Sequence, residues 1–324
     1  MIESDQIANL LILLFSIVLN ILGLSLFSHF KVNGKISSAN WLIFFQCSVD
    51  IVFSVVAFVF RCEFVIINNY IVFFLINFNG INIPFFLYFV FTHLFLTIVF
   101  INPPIVATMV YVRYHTVINF KETPNVRMKA VIKLLFASIL IDIVGVFSTM
   151  YFGIKSYGDQ QLLYKFDQTN NYTDMYVNAD SRALILDMNN IFVILCAFSG
   201  LTYMLILLAI ICTYLNFIIS NKNQSTETYK LNKDFLRIMF LHTLSPILFL
   251  FTPLIILLFY ISLQIQSRNL MTYVFSTSPC VPLLNALFLL IVLKKSRQVM
   301  GGRFERILNL IYYKTNQISI INVK

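Results

Sequence analysis

Two carboxylates stand where a carboxylate is costly: Asp50 and Asp142 each lie about halfway along a long apolar run. An ionisable group at mid-bilayer depth must find a partner or do chemical work, because hydrocarbon does not solvate charge. Asn20 and Asn285 sit at comparable depth in two other runs. Asn20, Asp50 and Asn285 are therefore expected to share an intramembrane polar network. That network is either helix-to-helix glue, worth about 0.6–2 kcal/mol per bond, or a working site. Asp142 has no basic partner at its depth and receives no role. The other reactive residue types assemble nothing: His29, His93, His115 and His242 are scattered, and no CxxC or HExxH brings metal ligands together. Cys47, Cys196, Cys212 and Cys280 fall inside apolar runs, and Cys62 alone lies near a surface, so no disulfide framework follows. There is no GxSxG, no phosphate-cradling glycine loop and no paired acidic motif. No metal, no cofactor and no enzymatic activity is expected.

The elements that must position these residues are membrane spans. Of 324 residues, 59% are hydrophobic and 11% charged, against roughly a quarter charged in a soluble domain. A water-soluble fold of this length could not hide so much apolar surface. A bilayer core takes about 20 apolar residues of helix, and such runs occur near 7–30, 40–60, 84–112, 130–152, 190–219, 238–264 and 270–293. The first is too long for a cleaved leader and lacks a small-residue cleavage site, so it reads as the first span. The net charge of +9 is spread between apolar runs, which fits a membrane protein and not a nucleic-acid partner.

Basic residues are retained on the cytoplasmic side, and this decides the topology. With seven spans and the N-terminus outside, the inner segments carry two basic residues in 31–39, five in 113–133, four in 221–237 and seven from Lys294 onward, 18 of the 23. Only Arg61, Lys155, Lys165, Arg182 and Arg268 face out. The segment 64–83, interrupted by Asn68, Asn69, Asn77 and Asn79, would reverse this balance if it crossed, so it is expected to stay outside. The expected fold is an all-α seven-transmembrane bundle over 1–293 with a basic cytoplasmic tail over 294–324. In the tail, Phe304, Ile307, Leu308, Ile311 and Tyr312 recur at helical spacing, which predicts a short amphipathic helix on the inner surface. The acidic outer loop 153–186 carries the acceptor triplet at Asn171, expected to be glycosylated, whereas Asn223 faces inward and should stay bare. Pro103, Pro104, Pro246, Pro253, Pro279 and Pro282 interrupt the third, sixth and seventh spans, each either a hinge or a fixed bend.

Where the third span meets the cytoplasm the sequence reads "YVRYHTV", with Arg113 between two interfacial tyrosines. Seven spans, an outward N-terminus and this motif resemble the seven-pass receptors that couple to G proteins. The Phe-rich, sparsely charged spans and "SPCVPLLNALFLLIVLKKSR" running into a basic tail resemble, more narrowly, the nematode serpentine chemoreceptors of the Str/Srd type. The resemblance implies that Arg113, with Tyr114 beside it, belongs to an inner lock that opens on ligand binding. It implies that Lys233 and Arg237 join them at the surface that meets a heterotrimeric G protein. It also implies a plasma-membrane location in sensory neurons or their cilia. The chain departs from the rhodopsin-like pattern at Val112, where an acid precedes the arginine. It departs again at Ala286, which stands where proline follows the asparagine matched by Asn285. Ser296–Arg297 replaces the Tyr-Arg that ends the span in many relatives, and the usual outer cysteine pair is missing.

The outer halves of the third, fifth, sixth and seventh spans offer His93, Asn189, Asn190, Tyr260, Gln264, Tyr273 and Ser276 among many aromatics. A mostly apolar pocket with a few polar anchors suits a small, hydrophobic organic molecule, an odorant or pheromone-like ligand. A polytopic transporter or channel is the alternative. Its usual marks are internal repeats and several midplane ionisable groups, and this chain has the two acids without a repeat.

Overall fold

The fold is described by a computed structural model. It describes residues 2–31, 34, 36–67, 70–78, 81–118, 124–158, 182–187, 205, 207–212, 226–252, 255–256 and 279–321.

Helix α1, Ile2–Ser25, ends in a 3₁₀ turn at Phe27–Phe30. Helix α2, Ser38–Phe60, starts at Ser37, whose side chain accepts from the Asn40 backbone N–H, satisfying one of the donors that a helix N-terminus leaves open. It stops at Arg61, held in the left-handed region at φ 36°. The third span is two helices, α3, Phe85–Phe100, and α4, Asn102–Ile118, joined at Ile101. Pro103 and Pro104 explain the break, since neither can donate a helical hydrogen bond and both fit the first turn of a new helix. Helix α5 runs Pro124–Gly153 and α6 runs Thr226–Pro246, where Pro246 passes into a π-helical turn at Ile247–Phe251. Helix α7, Cys280–Val292, and α8, Lys294–Ile321, are separated by the extended residue Leu293.

Four stretches are long and apolar enough to cross a membrane among the described residues: Ile7–Phe30, Asn40–Phe60, Phe85–Val112 and Met128–Gly153. Leu236–Phe249 and Cys280–Val292 are shorter apolar helices. Over its most apolar stretch α2 is 56% buried, against 22% for α1 and 17% for α5, so α2 is central and α1 and α5 are peripheral. The peripheral helices turn their large apolar side chains outward, as with Leu14, Phe15 and Val18 on α1 and Phe136, Ile141 and Tyr151 on α5. Their neighbours inside the bundle include Ser16 and Asn20, which are fully buried. This polar-inside arrangement is what a lipid solvent rewards.

The bundle is mostly helical, as expected. It also carries one small sheet: strands β1, Cys62–Ile67, β2, Tyr70–Leu75, β3, Ile154–Gly158, and β4, Ala183–Asp187, are antiparallel in the order β1-β2-β4-β3. The register runs from Cys62↔Leu75 to Ile67↔Tyr70 and from Tyr70↔Asp187 to Phe73↔Leu184. Val72, Phe73, Phe74 and Leu75 are consecutively buried, as are Ala183 to Leu186, so both faces of the central strands are covered. Such strands read as continuous apolar runs without alternation, which is why 64–83 looks like an interrupted span. The tail helix is not short, for α8 has 28 residues.

Tyr88 of α3 ties the sheet to the bundle. Its hydroxyl accepts from the Leu75 N–H at 3.0 Å and faces the carbonyl oxygens of Phe73 and Arg182 at 3.0 and 2.9 Å, one of which takes its proton. Tyr157 of β3 donates to the Ile83 carbonyl at 2.5 Å, and Arg182 donates to the same oxygen at 3.3 Å.

Candidate functional site

The helices are built so that polar side chains recur every fourth residue on their inward faces. Ser16 and Asn20 do so on α1, and Gln46, Asp50 and Ser54 on α2; all are buried. Residues four apart on a helix lie on one face, so each helix presents a polar row to its neighbours.

Asp50 is the hub. Its carboxylate accepts from Asn285 Nδ2 of α7, at 3.4 Å to Oδ1 and 3.2 Å to Oδ2, and from Gln46 Nε2 at 2.9 Å. Gln46 also donates to Oδ1 of Asn102, the first residue of α4. From α6, Ser245 donates to Asn285 Oδ1 at 2.9 Å, and His242 Nε2 lies 3.3 Å from the Asn285 carbonyl oxygen. A carbonyl only accepts, so Nε2 carries the hydrogen at that contact.

Asn20 joins from the other side without touching Asp50's carboxylate. Its Nδ2 donates to the Ser16 carbonyl at 2.9 Å and to the Pro282 carbonyl of α7 at 3.3 Å. The Ser16 and Ser54 hydroxyls are 2.7 Å apart, and Ser54 donates to the Asp50 carbonyl at 2.8 Å. One connected set of side chains thus links α1, α2, α4, α6 and α7, with Asn20 0%, Asp50 1% and Asn285 2% exposed. Of the three residues expected to cluster, Asp50 and Asn285 bond directly and Asn20 connects through the two serines and Pro282.

Sequence reasoning missed Ser16, Gln46, Ser54, Asn102, His242 and Ser245. The signal was there: i, i+4 and i, i+3 polar repeats inside otherwise apolar helices. Asn20 Oδ1, Gln46 Oε1, Asn102 Nδ2 and His242 Nδ1 are buried with no partner among the described residues. A partly satisfied buried network is held less firmly than a complete one. It holds no nucleophile–base pair, and among the described residues no three His, Cys, Asp or Glu side chains gather as metal ligands. Its chemistry is hydrogen bonding between helices.

The other expected residues fall elsewhere. Arg113 and Tyr114 lie on the last turns of α4, just after buried Val112; their side chains lie outside the described residues. Lys233, half-buried, and Arg237, exposed, are one turn apart on α6, which packs against α4. His93 faces span four: Nε2 is 3.3 Å from the Ile143 carbonyl oxygen, and its ring lies 5.8 Å from Phe147 and 6.2 Å from Phe89. Asn189, Asn190, Tyr260, Gln264, Tyr273, Ser276 and Asn171 lie outside the described residues. Asp142 is half-buried on α5, and its Oδ2 has no partner among the described residues.

The described residues thus form a bundle with outward-facing apolar surfaces and a polar seam joining α1, α2, α4, α6 and α7, with four helical stretches long and apolar enough to cross a membrane. The chain matches the family described as serpentine type 7TM GPCR chemoreceptor Srh over residues 6–306, and it belongs to that family. Srh is a sibling of the Str/Srd type that the sequence resembles. No curated protein matches the chain.

Proposed function

We propose that this receptor binds a small, mostly apolar organic molecule in the outer half of its bundle and activates a heterotrimeric G protein at the inner end. The family match over 6–306 is the observation that carries this reading. The polar seam supports it, because it joins the helices whose relative shift must carry a signal inward. In this reading the N-terminus is outside. Asn189, Asn190, Tyr260, Gln264, Tyr273 and Ser276 are the anchors of the outer pocket, with His93 at its edge against span four. Arg113, Tyr114, Lys233 and Arg237 meet the G protein at the inner ends of α4 and α6, two helices that pack together. The receptor works at the plasma membrane of sensory neurons.

Arg113 separates a signalling role from a topology charge. A lysine holds an inner loop equally well, but it cannot reproduce a planar, five-donor guanidinium. Arg113→Lys and Arg113→Ala should both reach the cell surface and lose agonist-driven calcium responses, scored with the odorant that activates the wild type in a screen of volatile and secreted metabolites. Wild-type signalling from a normally expressed Arg113→Ala would remove Arg113 from the coupling surface.

A further inference from the structure

At the end of α1 the chain turns through Phe27–Phe30. Residues three apart in a 3₁₀ turn eclipse one another, so Phe27 and Phe30 share one side, and both stand edge-on to Phe44, with centroids 5.2 and 5.5 Å away. Each ring carries a cation: Lys31 Nζ lies 5.2 Å from the Phe27 centroid and Lys295 Nζ 5.1 Å from that of Phe30. Helix α8 adds Arg303, which donates to Ser25 Oγ at 2.6 Å and to the Ser25 carbonyl at 3.1 Å, with Nη2 3.3 Å from His29 Nε2. A guanidinium has no acceptor, so His29 Nε2 accepts at this contact.

Three basic side chains, Lys31, Lys295 and Arg303, therefore converge on one turn, and among the described residues no carboxylate pairs with any of them. Glu305 does not compensate, since residues two apart on a helix do not face each other. Phe304, the next residue along α8, is 62% exposed.

We propose that this junction of α1 and α8 binds the headgroup of an anionic phospholipid bearing phosphate monoesters, the phosphoinositide class. Lys31 and Lys295 are the phosphate donors, and Arg303 positions α8 so that Lys295 stays over its ring. A singly charged headgroup would neutralise one cation, whereas a polyphosphorylated one answers all three. Phe304 favours a lipid over a free phosphate, because it offers the acyl chains a contact that a soluble ion cannot use. The proposal rests on the bundle topology given above for placing the junction at the inner leaflet, but its test does not, because a nanodisc carries the same lipids in both leaflets.

The full-length protein in phosphatidylcholine nanodiscs is titrated with phosphatidylinositol 4,5-bisphosphate or with phosphatidylserine at matched charge, and bound lipid is counted by native mass spectrometry. The bisphosphate should be retained preferentially. The Lys31→Gln/Lys295→Gln double variant should weaken that retention about thirtyfold, while Lys129→Gln/Lys133→Gln on the exposed inner part of α5 should leave it unchanged. Equal retention of phosphatidylserine, or undiminished binding by the Lys31/Lys295 variant, would overturn the site. Full displacement of the lipid by soluble inositol trisphosphate at equal concentration would overturn the lipid assignment in favour of a free phosphate ligand. If the double variant does not fold, the charge-matched comparison and the displacement on the wild type decide the matter alone.

Discussion

Asp50 shows what a single buried carboxylate does to the residues around it. Its donors come from Gln46 one turn before it and from Asn285 on α7, and Asn285 is in turn held by Ser245. Removing one partner from such a set leaves the others unpaired in a dry interior, which costs more than the bond itself contributed. Asp50→Asn and Asn285→Ala should therefore be non-additive, with an interaction energy of about 0.5–3 kcal/mol in thermal denaturation. Additivity within error would reduce the cluster to independent helix contacts. Signalling should change more than surface expression in Asp50→Asn, since the substitution keeps the volume and alters which atoms donate. The pair Asp50 and Asn285 was legible because both are polar at one depth. Ser16, Ser54 and His242 left only a spacing signal, and a hydroxyl inside an apolar run is equally at home bonding its own helix backbone. Only the crossing of α1, α2 and α6 shows which of them reach across.

Elements obey the same logic at a larger step. Gly23 lies where α1 meets α2 and α7: an added Cβ would stand 3.1 Å from Leu289 Cδ2 and 3.3 Å from Cys47 Sγ. Gly145 on α5 has open space around it. Gly23→Ile should lower stability by about 1–3 kcal/mol through overpacking, whereas Gly145→Ala should raise it by up to about 1 kcal/mol through helix propensity alone. Both are read as melting temperatures in the same detergent, and equal shifts in the two variants would argue against close approach at Gly23. The outer sheet hangs on Tyr88. Tyr88→Phe removes a hydroxyl that serves three backbone groups and should cost about 1–3 kcal/mol, seen as faster hydrogen exchange at Leu75 and across β4. Unchanged exchange there would mean that apolar burial alone holds the sheet. The strands themselves were half-visible: two runs of Val, Ile and Phe flank Asn68–Asn69, and asparagine tolerates the left-handed conformations that tight hairpins use. The pairing of β2 with β4, more than a hundred residues on, carries no local signal.

For the whole molecule the decisive quantity is the 18-to-5 division of basic residues. Antibody should reach epitope tags at residue 2 and within 160–180 in intact cells, and tags within 222–232 or at the C-terminus only after permeabilisation. A C-terminus accessible from outside would contradict seven spans with an outward N-terminus. The same topology puts Asn171 outside, so Asn171→Gln should abolish one glycosidase-sensitive mobility shift and Asn223→Gln should abolish none. A shift surviving Asn171→Gln would leave that acceptor unused.

What the sequence by itself determined is the apolar solvent, a mostly helical fold and the broader class of serpentine chemoreceptors, though not the Srh family within it. Apolar content, run length and charge placement act locally and additively, and each can be read without knowing what a residue touches. Splitting the third span at Ile101 also follows from sequence, because proline removes its own donor wherever it stands. The tertiary structure alone decided that Asn20 meets the seventh span at the Pro282 carbonyl rather than at Asp50. It alone decided that His93 turns toward span four, that α8 is pinned to Ser25 through Arg303, and that two distant outer segments share one sheet. Each of these depends on which faces of two elements meet. That is set by packing summed over the whole bundle, in which any one residue's preference is too weak to be read alone.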